Sequence, residues 1–217
     1  MSYTGAVTTG GHADVRRLVE LTIKKLSVGP MDNNAYLLTC NATGDQLLID
    51  AANEPHRLLD LIGPGGLNTI VTTHRHHDHW AALEDTVKAT GAHSVAHSAD
   101  VEGIPGAPDS LRDGDTVRVG DCELSVIHLV GHTPGSIALY YRDPAPDGIG
   151  HLFTGDSLFP GGCGRTESPE DFASLINDVE SKLFALPDDT WFYPGHGGDS
   201  TLGEQRPHLA EWRERGW

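Results

Sequence analysis

Thr73-His74-Arg75-His76-His77-Asp78-His79-Trp80 sets four histidines and one aspartate into the six consecutive positions 74–79. The run before it, Asn68-Thr69-Ile70-Val71-Thr72, reads as a buried strand. The run after it, Ala81-Ala82-Leu83-Glu84-Asp85-Thr86-Val87-Lys88, reads as a helix ending near Gly91. The cluster is therefore expected on a strand-to-helix loop, where α/β proteins commonly place ligand sites. Imidazole suits zinc-like ions, and carboxylate adds a harder oxygen donor. A single surface histidine is usually only that, but a solvated loop has no need to collect this donor set. The spacing His74-x-His76-x-Asp78-His79 can serve two metals, with His74 and His76 on one and Asp78 and His79 on the other.

Working outward, residues 18–23, 35–39 and 46–50 read as strands, the last two joined by the turn residues Asn41-Ala42-Thr43-Gly44-Asp45. Residues 54–62 read as a helix closed by Gly63-Pro64-Gly65-Gly66. Residues 94–97 read as a short strand and 99–112 as a loop. Gly120-Asp121, between apolar runs at 116–119 and 122–127, is a hairpin signal. Residues 136–141, 151–154 and 190–193 read as strands. Residues 169–186 carry a helical period with Ser168 as cap, and 202–215 read as a final helix. Two β-rich halves, each carrying helices and joined by no Pro-rich or Ser-rich linker, fit two sheets packed face to face with helices outside. Residues 1–217 are expected to form a single domain, with 1–17 as a loose N-terminal arm or an edge.

With 217 residues, 38% hydrophobic and 21% charged, the chain has the composition of a soluble globular protein. Its formal net charge of -16 argues against a nucleic-acid partner, which wants a basic patch to replace counterions. Cys40, Cys122 and Cys163 are odd in number and match no thiolate zinc spacing, so a reducing compartment is expected. Residues 1–17 hold no apolar secretory core and no run approaches a membrane span. The expected location is cytoplasmic, without a membrane partner.

Three further stretches follow apolar runs: His132 in Gly131-His132-Thr133-Pro134-Gly135, Asp156 at the end of His151-Leu152-Phe153-Thr154-Gly155, and His196 in Tyr193-Pro194-Gly195-His196-Gly197. Taken singly these could be a turn cap, a helix cap and a surface histidine. Their joint occurrence with the first cluster raises all of them. Together they resemble the metallo-β-lactamase superfamily, and within it the hydroxyacylglutathione hydrolases (glyoxalase II) and their small single-domain relatives. The resemblance covers about 18–206. It implies an αββα four-layer sandwich. It also implies that His74, His76 and His132 hold one metal, that Asp78, His79 and His196 hold the other, and that Asp156 bridges them. Two divalent ions are implied, zinc first, with iron or manganese as alternatives.

The run Gly161-Gly162-Cys163-Gly164-Arg165-Thr166 is similar to both glyoxalase II enzymes and persulfide dioxygenases, whereas the stretch from Tyr193 to Arg206 looks like the small glyoxalase II type. Pro207-His208 replaces the usual Asn-Pro, and these residues hold no counterpart of the C-terminal helical domain that binds the thiol in larger glyoxalase II enzymes. His77 falls outside the family's ligand pattern. His128 reads as a residue that supports a ligand from behind or as a packing residue, and His93 and His97 read as structural. Cys163 as a nucleophile is disfavoured, having no activating base nearby in sequence. Arg165 either holds a substrate carboxylate or pairs with Glu167 or Glu170. Thr133 and Ser136 are candidate supporting donors.

The chemistry expected is hydrolysis of a small-molecule thioester, a hydroxyacid joined to a low-molecular-weight thiol, by a metal-bridging hydroxide with Asp78 and Asp156 as its catalytic carboxylates. The alternatives are a one-iron persulfide dioxygenase using His74, His132 and Asp156, a lactonase or β-lactamase-type hydrolase, and a non-enzymatic metal scaffold. The oligomeric state stays open, a homodimer among the options.

Overall fold

The structure, a computed structural model, describes residues 3–146 and 148–217. The first sheet has seven strands in sequence order: β1 (Asp14–Arg17), β2 (Leu21–Val28), β3 (Asn33–Cys40), β4 (Gln46–Ile49), β5 (Thr69–Thr72), β6 (His93–His97) and β7 (Asp109–Leu111). Helices α1 (Pro55–Ile62) and α2 (Leu83–Thr90) supply the crossovers that the parallel pairs β4–β5 and β5–β6 require. The second sheet is built from β8 (Thr116–Val119), β9 (Cys122–His128), β10 (Ile137–Arg142), β11 (Gly150–Gly155), β14 (Trp191–Pro194) and β15 (Ser200–Thr201), in the order β15-β14-β11-β10-β9-β8. A small hairpin, β12 (Leu158–Phe159) with β13 (Gly162–Cys163), follows β11. Helices α3 (Pro169–Asp178), α4 (Leu202–Gln205) and α5 (Leu209–Arg215) complete this half.

Strand side chains alternate between two buried faces, which is why β4 reads as an unbroken apolar run instead of an alternating one. Leu38, Leu47, Ile49 and Val71 meet Leu124, Leu139, Phe153 and Tyr193 between the sheets. Leu37, Leu48 and Ile70 point the other way, onto Leu58 and Ile62 of α1 and Leu83 of α2. Leu152 and Phe192 pack on Phe172, Leu175 and Ile176 of α3 and on Trp212 of α5. The result is the expected four-layer αββα sandwich.

Several boundaries differ from the sequence reading. In the 1–17 segment, residues 1 and 2 lie outside the described residues, and Asp14–Arg17 is edge strand β1, paired antiparallel with β2. The loop expected over 99–112 ends in the short edge strand β7, which pairs parallel with β6. The helix expected over 169–186 stays α-helical to Asp178 and then widens into a π turn over Val179–Leu183. The final helix is broken by a 3-10 turn at Arg206–His208, because Pro207 has no amide to donate. Ser168 caps α3 as expected, its side chain accepting from the Asp171 amide.

Strand direction positions the site. β9 and β11 both run antiparallel to β10, and β14 runs parallel to β11. The C-terminal ends of β9, β11 and β14 therefore lie at the same end of the sheet, carrying the segments to His132, Asp156 and His196.

Candidate metal centre

All seven sequence-identified donors come together at that end of the sandwich. Three donor groups have atoms within 4.8 Å of one another: His74–His76–His132, His74–His79–Asp156 and Asp78–His79–His196. His132 Nε2 lies 2.9 Å from His76 Nδ1 and 3.2 Å from His74 Nε2. His196 Nε2 lies 3.3 Å from Asp78 Oδ2 and 3.4 Å from Asp156 Oδ2. Asp156 spans the groups: Oδ1 is 3.3 Å from His79 Nε2 and Oδ2 is 3.8 Å from His132 Nε2.

The outward ring nitrogens decide what the inward ones present. His79 Nδ1 donates to Asp50 Oδ2 at 2.8 Å, His132 Nδ1 to the Arg165 carbonyl at 2.7 Å, and His196 Nδ1 to the Met31 carbonyl at 2.9 Å. Thr73 Oγ1 gives its proton to Asp50 Oδ2, so it accepts from His74 Nδ1 at 3.1 Å. With the outward nitrogen as the donor, each of these rings has its Nε2 free to present a lone pair to a cation at the centre. Lone pairs facing one another at these distances repel unless a cation lies between them. His79 Nε2 and Asp156 Oδ1 are also buried without a hydrogen-bond partner. This donor set fits a divalent metal ion.

The electrostatics agree. Burial and the neighbouring His79 hold the His74 ring well below its ordinary pKa, and burial likewise lowers His132. Burial would also lower His196, but its hydrogen bonds to Asp156 and Asp78 outweigh that and raise it to about 10. The His196 and Asn33 hydrogen bonds, against partial burial, hold Asp78 well below the usual carboxylate range. Asp156 is also low, because His79 and His196 overcome a large burial penalty. Two ionised, partly exposed carboxylates beside one another create a negative potential that a metal cation satisfies.

Supporting residues that the sequence reading missed surround the donors. Asp50 ends the run of β4 at a positive φ of 59° and also accepts from the Thr73 amide at 2.8 Å. Asn33 Nδ2 donates to Asp78 Oδ2 at 2.8 Å. Asp100 is buried and ties two donor loops together: Oδ2 accepts from the Arg75 amide at 2.9 Å and from Thr133 Oγ1 at 2.6 Å, and Oδ1 accepts from the Gly135 amide at 2.9 Å. Gly195 is required by close approach, since a Cβ there would strike Asp156 and His79.

The remaining expectations sort by contact. His77 is exposed against Trp80 and belongs to none of the donor groups. His97 and His128 stack at 3.8 Å, and His93 pairs with Asp109 at 3.2 Å. Thr133 and Ser136 bond each other at 2.7 Å, so they lock the His132 turn without touching a ring. Cys163 has its thiol pushed up to about 12 by burial, which leaves it protonated and poorly nucleophilic. Arg165 makes no ion pair with Glu167 or Glu170 among the described residues; it lines a cavity of about 410 Å³ with Cys163, Thr166, Glu167 and Trp217.

The fold and this donor set define a class: the profile of the metallo-beta-lactamase superfamily matches residues 28–196, and the chain belongs to that superfamily. Within it the chain is 36% identical over 166 residues to a hydroxyacylglutathione hydrolase of Rhodospirillum rubrum, covering 76% of this chain and 62% of that protein. It is 39% identical over 203 residues to the hydroxyacylglutathione hydrolase of Fuscovulum blasticum, covering 85% of this chain and 76% of that protein. The chain thus spans 62% of the length of the Rhodospirillum relative. The crystal structure of ETHE1 from Myxococcus xanthus superposes with a TM-score of 0.77 at 28% identity, covering 88% of this chain and 84% of that one.

Proposed function

We propose that this chain is a metal-dependent hydrolase that cleaves the thioester of a hydroxyacid and a low-molecular-weight thiol. The observation that carries the reading is Asp156, whose two oxygens reach His79 on one side and His132 on the other, joining a three-histidine group to an Asp78–His79–His196 group. The similarity to hydroxyacylglutathione hydrolases supports it. His74, His76 and His132 would hold one ion and Asp78, His79 and His196 the other, with Asp156 shared; nitrogen-rich donors favour zinc, with iron or manganese as alternatives. We take residues 1–217 as one catalytic domain, located in the cytoplasm, acting on a small molecule and not on nucleic acid or membrane. No helix among the described residues is long and apolar enough to cross a membrane.

A bound metal pair supplies Lewis acidity and makes water nucleophilic near neutral pH. The chain's residues do the rest. Asp78, held by Asn33 and His196, and Asp156 stay ionised and orient the attacking water. Asp50, the Arg165 carbonyl and the Met31 carbonyl keep three imidazoles in the donor tautomer. A thiol departs readily as thiolate, so no strong general acid is needed, consistent with the protonated Cys163 playing no part. Arg165 faces the neighbouring cavity and offers a cation to an anionic group on the thiol carrier.

The run Gly162-Cys163-Gly164-Arg165-Thr166 keeps a one-iron persulfide dioxygenase as the second reading, but the complete Asp78–His79–His196 group favours hydrolysis. Metal-loaded protein assayed against hydroxyacyl thioesters of several thiol carriers should release free thiol, and a chelator should abolish the release. No hydrolysis across the panel refutes the proposal.

A further inference from the structure

Lys25 is a lysine with 0% of its side chain exposed, on a strand that packs both faces. Its ammonium has three donors and three acceptors: Gly5 O at 2.9 Å, Gly197 O at 2.7 Å and Asp199 Oδ1 at 2.6 Å. The other Asp199 oxygen accepts from Tyr3 Oη at 2.5 Å. Asp14 Oδ2 accepts the amides of Thr4 and Gly5 at 2.8 and 2.9 Å, which presses the chain at Gly5 onto Asp199. A side chain at Gly5, whose φ is +70°, would collide with that carboxylate. A buried ion pair with these satisfied contacts is costly to disrupt from one side only.

The segment this cluster grips is the one that carries His196. Asn34 Nδ2 donates to Pro194 O at 2.9 Å and Gly197 O at 3.0 Å, Tyr36 Oη to Pro194 O at 2.6 Å, and the Asn34 amide to Gly195 O at 2.7 Å. Neutral groups of β3 therefore hold the turn before His196. Among the described residues, the charged side chain that grips the turn after it is Lys25, through Gly197 and Asp199. Nothing in the cluster touches His74, His76 or His132. Tyr3, Gly5, Lys25 and Asp199 all lie outside the 28–196 superfamily match.

We propose that the buried Tyr3–Lys25–Asp199 cluster, closed by the N-terminal segment at Gly5, is a positioning device for His196 that sets the affinity of the Asp78–His79–His196 metal position and leaves the three-histidine position unchanged. The inference rests on the two-metal reading above. Lys25→Met keeps an unbranched side chain, one heavy atom shorter, and removes the ammonium. Tyr3→Phe removes one bond to Asp199, and Gly5→Ala drives a methyl against it.

The test titrates metal-free full-length protein with Zn²⁺ in competition with a chromophoric chelator, alongside His196→Ala as a one-site reference and with circular dichroism to follow folding. Wild type should take two equivalents. Lys25→Met should bind the first as wild type does and the second about 10–100-fold more weakly, matching His196→Ala in form. Tyr3→Phe and Gly5→Ala should weaken the same step by less. Two unchanged equivalents in folded Lys25→Met, or a parallel loss of both, overturn the proposal. If Lys25→Met does not fold, Tyr3→Phe and Gly5→Ala decide: two unchanged equivalents in both overturn it. A single equivalent in wild type overturns the two-metal reading itself, and the proposal with it.

Discussion

Asp100→Asn tests how the donor loops are held. The carboxylate lies between the His74–His76 segment and the His132 turn, and receives the Arg75 amide, the Thr133 hydroxyl and the Gly135 amide. Asparagine matches its shape but offers one acceptor oxygen in place of two. If the amide nitrogen takes the Oδ1 position, the buried Gly135 N–H loses its acceptor; if it takes the Oδ2 position, Arg75 N–H does. An unsatisfied donor costs about 1–3 kcal/mol, and each remaining bond loses its charge-assisted part, so about 2–4 kcal/mol of stability should disappear. Urea unfolding of metal-free protein should show the loss as a lower midpoint at unchanged slope. The freed loops should also weaken zinc binding at the three-histidine position by about 10–100-fold. A midpoint shift worth less than about 0.5 kcal/mol refutes the reasoning, because it would place the substitution among ordinary surface changes.

Other consequences are more local. His151 is fully buried, and burial with the nearby Arg16 lowers its pKa from 6.5 to about 3. The unfolded chain therefore takes up a proton before the folded one does, and stability should fall as pH drops from 6.5 towards 3, by up to about 1.4 kcal/mol per pH unit. In His151→Phe that acid limb should flatten, as read by urea midpoints across the range; an unchanged slope contradicts the assignment. Cys163→Ala should retain thioester turnover, since the thiol is protonated at neutral pH, and a loss of kcat would reinstate it as a reacting group. Arg165→Ala should raise KM for an anionic thiol carrier with little change in kcat, because the side chain lines the cavity while its backbone carbonyl still holds His132. An unchanged KM removes it from substrate binding.

The donors were legible because their chemistry is carried by residue type and local spacing, and because apolar runs with glycine turns marked the strand ends. The residues that hold them were not. Asp50 falls at the end of the strand expected over 46–50 and Asp100 in the loop expected over 99–112, and their partners lie 23 to 35 positions away. Lys25 lies beyond the strand expected over 18–23, and its contact with Asp199, 174 residues distant, explains its burial. Strands β1 and β7 are short and polar edge strands, with no hydrophobic period to announce them. The break in the last helix has a local signature: Pro207 sits inside it, and Thr201 with Glu204 forms a capping box that marks the helix start. Parallel pairing of β11 with β14 brings Asp156 beside His196 across 40 residues that local patterns cannot span.

The most direct test of the hydrolase reading measures metal content on protein purified without added metal and, on the same sample, thiol release from a hydroxyacyl thioester beside oxygen uptake with a glutathione persulfide. The arrangement of Asp156 between two complete donor groups predicts close to two metal ions per chain, thiol release and no oxygen uptake. One iron per chain with oxygen uptake and no thiol release would contradict it.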